Sequence, residues 1–393
     1  MAMLLRPALL WPDWFTWRAD PAYSPTVAAA LRSGFAHIAS ADAPRINFLW
    51  ACAEVASCKN ATMATPQHVR VCLLFARTHE VEGAYTDALA YVDRALDVAA
   101  HGPFNDDFTD LLLYRAKLER ARGRYLIAAS DLDACLGLLR GRARGDDTRI
   151  DPALRLEILA QLADYEFFLG HLLTAARLVS QAQRLAPRVP HRRLDAASIA
   201  WVQAHLDRLR GYAWEAVHPM LRAESVYAHD APPISRGRLA YFVAELALDS
   251  AARYSDGPPA SHRSEPLRLA RVHLDAAERL AQQANDRGGR GLVQLARVRY
   301  SRLYGGNSDR SARIVDVLRL ARRIDDDALL AQAFTALGDE LAYQGEHERA
   351  LDCYRQTIGL MDGSEFPVLA LPARRQLLLA REMAGAADPQ QFA

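Results

Sequence analysis

Apolar residues recur three and four positions apart along almost the whole chain, the spacing that lays one hydrophobic stripe along an α-helix. Leu112, Leu113, Ala116 and Leu118 form one such stripe and Tyr125, Ala128, Leu132 and Cys135 the next. Leu154 to Ala186 repeats the arrangement through Leu156, Leu159, Leu162, Ala163, Leu169, Leu172, Ala175, Val179 and Ala182. The pattern predicts helix pairs at 25–40 with 44–58, 67–82 with 85–100, and 104–122 with 125–140. It continues with 151–169 and 172–186, 191–210 and 213–229, and 234–254 and 266–285. The last pairs are 288–304 with 309–324 and 327–343 with 347–361, before a final helix near 368–385 that opens on Pro372. The segments 141–152, 229–238 and 255–266 carry Gly or Pro with charge and read as surface loops.

A second regularity fixes how these helices pair. A small residue, a Gly and an Ala recur as Ala76/Gly83/Ala88, Ala116/Gly123/Ala128, Ala163/Gly170/Ala175, Ala204/Gly211/Ala216 and Gly338/Gly345/Ala350. Seven positions separate the first two members and five the last two. The Gly falls where the first helix ends, a place that favours left-handed backbone. The small residues fall where two antiparallel helices cross. Stacked helical hairpins follow, each burying its face on its neighbours. Successive turn glycines lie 40, 47, 41 and 134 residues apart, and the long gap leaves room for two degenerate units. The expected architecture is an all-α solenoid of about eight helix-turn-helix repeats over 25–364. A Trp-rich segment, 1–24, precedes it, and a capping helix and tail, 365–393, follow. Trp11, Trp14, Phe15 and Trp17 suit either a cap over the open end of the stack or a docking segment.

These residues resemble the tetratricopeptide repeat family. The unit AQAFTALGDELAYQGEHERALDCYRQTIGLM matches its pattern best, through Phe334, Leu337, Gly338, Gly345, Ala350 and Tyr354. The family's aromatic at the eleventh position is replaced by His79, Glu119, Glu166, Asp207 and Leu341. The longer helices look like the solenoid domains of bacterial signal-transduction regulators. The resemblance implies a right-handed superhelix whose first helices line a ligand groove.

Length and composition narrow the picture further. With 393 residues, 51% hydrophobic and 8% aromatic, the chain suits order almost throughout. A formal charge of +1 gives no general attraction to nucleic acid or anionic membrane. All but Lys59 and Lys117 of its 48 basic side chains are Arg, as GC-rich bacterial coding produces. No apolar run reaches the roughly 18–20 residues of a membrane span. The N-terminus, interrupted by Arg6, Pro7, Pro12 and Asp13, is a poor signal peptide, and five cysteines without framework spacing point to a reducing compartment, the cytoplasm.

Candidate chemistry is sparse. Cys52, Cys58, His68 and Cys72 match no familiar metal spacing, and Cys52 and Cys72 fall in apolar stripes. Gly288-Gly289-Arg290-Gly291 lacks the strand and Gly-Lys-Ser/Thr of a phosphate loop and reads as a turn between helices. Asp325-Asp326-Asp327 suits a helix N-terminus, and the runs Arg140/Arg142/Arg144, Arg188/His191/Arg192/Arg193 and Arg319/Arg322/Arg323 read as solvated faces. No nucleophile or metalloprotease motif appears, so the expectation is a non-enzymatic chain without cofactor or metal.

The resemblance assigns the groove to the second, fifth, ninth and twelfth positions of each first helix. In this sequence those positions include Arg70, Arg77, Lys117, Arg120, Asp164, Phe167, Trp201, His205, Arg208 and Asp339. A basic first half followed by an aromatic pair suits a protein or peptide with acidic and apolar side chains. The alternative at each position is packing between repeats. Two functions follow from the resemblance. One is a scaffold or adaptor that binds protein or peptide. The other is a ligand- or peptide-sensing regulator whose superhelix changes shape to control a separate effector, since no attached DNA-binding or nucleotide-hydrolysing module is recognisable.

Overall fold

The computed structural model describes residues 66–81, 84–100, 105–142, 151–253, 261–305 and 309–387. The predicted helices at 25–40 and 44–58, the Trp-rich segment, Cys52, Cys58 and Gly83 lie outside the described residues, as do the side chains of His68, Arg70, Arg140, Arg142 and Arg144. Fifteen α-helices and no strand are found among the described residues. They are α1 (Pro66–Val81), α2 (Tyr85–Ala100), α3 (Asn105–Ala121), α4 (Tyr125–Arg142) and α5 (Pro152–Phe168). Next come α6 (Leu172–Leu185), α7 (Arg193–Arg210), α8 (Ala213–Asp230), α9 (Pro233–Arg253) and α10 (Ser261–Gln283). The last are α11 (Arg287–Tyr304), α12 (Arg310–Arg323), α13 (Asp327–Tyr343), α14 (His347–Met361) and α15 (Leu371–Ala387). The chain forms two compact units that meet in sequence at Ile158/Leu159, inside α5.

The fixed-spacing residues do what their size dictates. Ala76, Ala88, Ala116, Ala128, Ala163, Ala175, Ala204 and Ala216 are all buried where helices cross. Gly123, Gly170, Gly211 and Gly345 close their first helices with φ between 79° and 94°. There the following amide reaches back to the last helical turn, as Arg124 does to the Glu119 carbonyl and Tyr212 to that of Asp207.

The two degenerate units are present as α9 with α10 and α11 with α12; Gly305 closes α11 at φ 86°, and the links from each second helix to the next hairpin use different chemistry. Between α10 and α11, Asn285 takes the left-handed conformation, and between α12 and α13 Asp325 does the same, at φ 51° and 54°. Both residue types tolerate that region better than other non-glycine side chains. The next residue caps the new helix: Asp286 accepts from the Gly289 amide at 2.8 Å and Asp326 from the Leu329 amide at 2.9 Å.

Two sequence readings need correction. Gly288, Gly289 and Gly291 lie inside the first turns of α11, because the turn itself is made by Ala284–Asp286. A Cβ on Gly291 would come within 2.8 Å of Leu329, and one on Gly289 within 2.2 Å of its own capping carboxylate, so the glycines serve close approach. The expected loop 229–238 is almost wholly helical: only Ala231 and Pro232 separate α8 from α9, with Pro233 at a first helical position where its missing N–H costs nothing. Within 255–266, residues from Ser261 onward already belong to α10.

In the unit from Leu159 onward, first helices stand side by side, α9 next to α11 and α11 next to α13. This unit also bends back on itself. Phe168, at the end of α5, meets Phe366 edge-on at 6.2 Å between ring centroids, and Gly170 lies against Pro367. Residues almost two hundred positions apart thus close one turn of the stack. Ala373 of α15 packs on Cys353 and Tyr354 of α14, covering the last hairpin as a C-terminal cap.

Candidate binding site

The wall made by the first helices carries its chemistry at one register. Six and three residues before the turn glycine stand Asp164 and Phe167 on α5, His205 and Arg208 on α7, and Arg299 and Arg302 on α11. On α13 the same register holds Asp339 and Ala342. Glu245 and Asp249 on α9, one helical turn apart, fill the space between α7 and α11.

These side chains form a ladder of alternating charge. Arg208 donates from Nε to Asp249 at 2.5 Å and from Nη2 to Glu245 at 2.8 Å. From the other side Arg299 donates from Nη1 to Glu245 at 2.5 Å and from Nη2 to Asp249 at 2.6 Å. Two carboxylates on one helix therefore clamp a guanidinium from each neighbour, fixing the relative register of α7, α9 and α11. Burial opposes the charge on both arginines, yet Asp249 and Glu245 outweigh it and hold their pKa values above the usual Arg range. Burial likewise opposes ionisation of Asp249, but Arg208 and Arg299 depress its pKa well below the ordinary carboxylate value. The ladder is deep without being sealed: the side chains of Arg208, Arg299 and Asp249 keep 28%, 24% and 24% of their surface in solvent, against 7% for Glu245. Part of each of these arginine side chains therefore stays in contact with solvent.

Further along, Arg302 donates to the Asp339 backbone carbonyl at 3.2 Å and stands 6.0 Å from the Tyr343 ring centroid. The Asp339 carboxylate accepts from the Tyr354 hydroxyl at 2.9 Å. Burial raises the Asp339 pKa, opposed by the Tyr354 hydrogen bond and by Arg302 and Arg299. Arg302 thus brings a guanidinium to the wall whose protein acceptor is a neutral carbonyl.

Beside the ladder sits an aromatic cluster. His205 stacks on Phe242 at 3.8 Å, with Trp201 at 5.1 Å and Phe167 at 5.0 Å from the same imidazole. Burial, then the nearby Arg208 charge, pushes the His205 pKa well below the usual value, so the ring is neutral at pH 7. A depressed histidine pKa means the unfolded chain binds more protons, so this contribution to stability is present above the unfolded pKa of about 6.5 and is lost as pH falls below it. His205→Phe is therefore expected to flatten the loss of stability between about pH 7 and pH 5, measured as urea midpoints of variant and wild type.

The structure brings together Phe167, Trp201, His205 and Arg208. Phe167 is 4% exposed, so its role is packing between α5 and α7. Trp201 is half-buried against the α7–α9 core, which makes it a structural residue as well as a wall residue. Asp164 is half-buried on α5.

The remaining sequence-derived positions belong to the other unit. Arg77 is buried and ion-paired to Glu80, which also accepts from the Tyr114 hydroxyl at 2.6 Å. Lys117 pairs with Glu157 at 2.6 Å. Arg120 is half-buried, and the side chain of Arg70 is outside the described residues. The expected basic first half is therefore internally neutralised at Arg77 and Lys117. Glu245, Asp249, Arg299 and Arg302 escaped sequence reasoning. Arg299 and Arg302 stand at the usual offset from Gly305, but Arg310 replaces the Ala that marks the other units. The described part of α9 ends with no such glycine to set its register.

Cys72, Cys135 and Cys353 are buried free thiols, and burial first of all raises their pKa values, that of Cys135 to about 12. Among the described residues no group of three or more His, Cys, Asp or Glu side chains is placed to hold a metal, and no helix is long and apolar enough to cross a membrane.

No protein-family model matches the sequence, and no curated protein does. Solved structures do match in shape. The apo form of the quorum sensor NprR from B. thuringiensis superposes with a TM-score of 0.61 at 14% identity, over 85% of this chain and 87% of that one. A Rap protein complexed with competence and sporulation factor gives 0.53 at 13% identity, over 91% and 98%. Apo RapI gives 0.50 at 11%, over 92% and 99%. The fold is a helical solenoid of the tetratricopeptide type.

Proposed function

We propose that this chain is a non-enzymatic, peptide-binding regulatory protein whose first-helix wall, from Trp201 on α7 to Asp339 on α13, receives the ligand. The observation that carries this reading is the solvent-open charge ladder beside the aromatic cluster. Arg208 and Arg299 are already matched by Glu245 and Asp249, so the guanidinium offered to a ligand carboxylate is that of Arg302, and the half-buried Trp201 suits an apolar side chain; together they fit an acidic and apolar peptide. The comparisons add support from a distance: NprR is a quorum sensor, and the matched Rap protein holds competence and sporulation factor. Peptide sensing with output through a separate effector is the function this wall serves best.

Capture of low-molecular-mass peptides from cell lysate, identified by mass spectrometry, tests the proposal. Arg302→Glu reverses the charge of a guanidinium that donates to a neutral carbonyl, so it is expected to weaken capture about tenfold or more, with only a modest fall in melting temperature because Arg302 also offsets the burial of the Asp339 carboxylate. Trp201→Leu is expected to weaken capture and lower the melting temperature together, because Trp201 also packs in the core. Equal retention by wild type and Arg302→Glu contradicts the proposal.

A further inference from the structure

The contact that closes the turn of the stack and the wall proposed to receive the ligand are joined by an unbroken set of rings. Phe366 meets Phe168 at 6.2 Å and 86°. Phe168 meets Phe167 at 5.7 Å and 76°. Phe167 meets His205 at 5.0 Å, and His205 in turn lies on Phe242 and against Trp201. Phe167 and Phe168 are consecutive, so the last turn of α5 presents one ring to the wall and the next to the closing contact. Two residues later Gly170, at φ 81°, leaves the helix and lies against Pro367. This terminal turn of α5 belongs to both places.

We infer that this seam is a coupled closure: occupation of the wall at Trp201 and His205 and closure of the turn at Phe168 and Phe366 bias one another. The inference rests on the peptide-binding reading for its biological meaning and supplies the regulation of that same site. A ligand that shifts Trp201 or His205 presses on the Phe167 ring packed against them, and through it on the turn that also carries Phe168, so the seam tightens or opens. Coupling of this kind is reciprocal, so whatever stabilises the closed seam changes ligand affinity by the same factor. The output is a change in the curvature of the unit, delivered at the 3-10 turn Pro367–Ala370 and the α15 helix that follows it.

Hydrogen-exchange mass spectrometry of the full chain without ligand tests the seam directly. Phe366→Ala is expected to speed exchange across the α5–α6 turn, residues 169–172, by about threefold to tenfold, the range an aromatic pair contributes. Phe366→Leu, which keeps apolar volume, is expected to do so by less. Trp201→Leu is expected to alter exchange at residues 365–370 through the ring set that joins them. Peptides from α10 and α12 serve as the reference for overall stability. The inference is overturned if both Phe366 variants change only residues 364–370, if Trp201→Leu leaves 365–370 at the wild-type rate, or if every change is matched in α10 and α12. These readouts need no ligand. Failed peptide capture with a coupled seam removes the peptide reading alone, and the reverse result removes the seam alone.

Discussion

Glu245→Leu is expected to lower the unfolding free energy by about 3 kcal/mol, the lower end of the range for breaking a buried ion pair. Its carboxylate accepts from Arg208 on one side and Arg299 on the other, and its side chain is 7% exposed. Leu leaves two guanidinium groups sharing Asp249 alone. The cost stays near the lower end because about a quarter of each arginine remains hydrated. The measurement is the urea midpoint at constant m-value, which separates lost stability from a changed unfolded state. The fourfold variant Arg208→Met, Glu245→Leu, Asp249→Leu, Arg299→Met should recover much of the loss, because replacing a whole buried ionic group by apolar residues is often neutral. If the fourfold variant folds as well as wild type but no longer captures peptide, the ladder is kept for recognition rather than for stability.

Gly338→Leu is expected to be the most damaging single change in the last hairpin, costing at least about 3 kcal/mol through overpacking. A Cβ there would stand 2.5 Å from Cε1, 2.9 Å from Cδ1 and 3.0 Å from Cζ of Tyr354. That ring is 3% exposed and tied by its hydroxyl to Asp339, so it has nowhere to withdraw without giving up the hydrogen bond. Even Gly338→Ala forces the ring to shift, and its gain of about 1 kcal/mol in helix propensity is offset by that strain. Gly359 on α14 is the control: beyond its own helix backbone nothing lies within 4 Å of its added Cβ, so Gly359→Ala should stabilise by roughly 0.5–1 kcal/mol. Thermal unfolding of the three variants should therefore separate in opposite directions.

Much of this fold is readable from the chain because its repeat is enforced by two hard constraints. Helices cross only over small side chains, and a first helix turns back through left-handed backbone, so Ala and Gly recur where the geometry demands them. Where other residues meet the same constraint, the reading falters. Asn285 and Asp325 take left-handed backbone between hairpins, after the second helices α10 and α12, and the glycines of 288–291 sit within α11, where they allow Leu329 and the Asp286 carboxylate to approach. The site was legible in register and not in partnership. Spacing placed His205, Arg208 and Asp339 on the wall, yet an ion pair depends on which helices become neighbours. Arg77 and Lys117 look like free cations in sequence and are matched by Glu80 and Glu157 in space. Arg299, Glu245 and Asp249 become visible only when α7, α9 and α11 stand side by side.

A hydrogen-exchange footprint with the captured peptide shows whether it lies along the first-helix wall of the C-terminal unit. The expected footprint is slower exchange on α7, α9 and α11, centred on Trp201, Glu245 and Arg302, with α8, α10 and α12 unchanged. Protection confined to the second helices, or to the unit before Leu159, would contradict it.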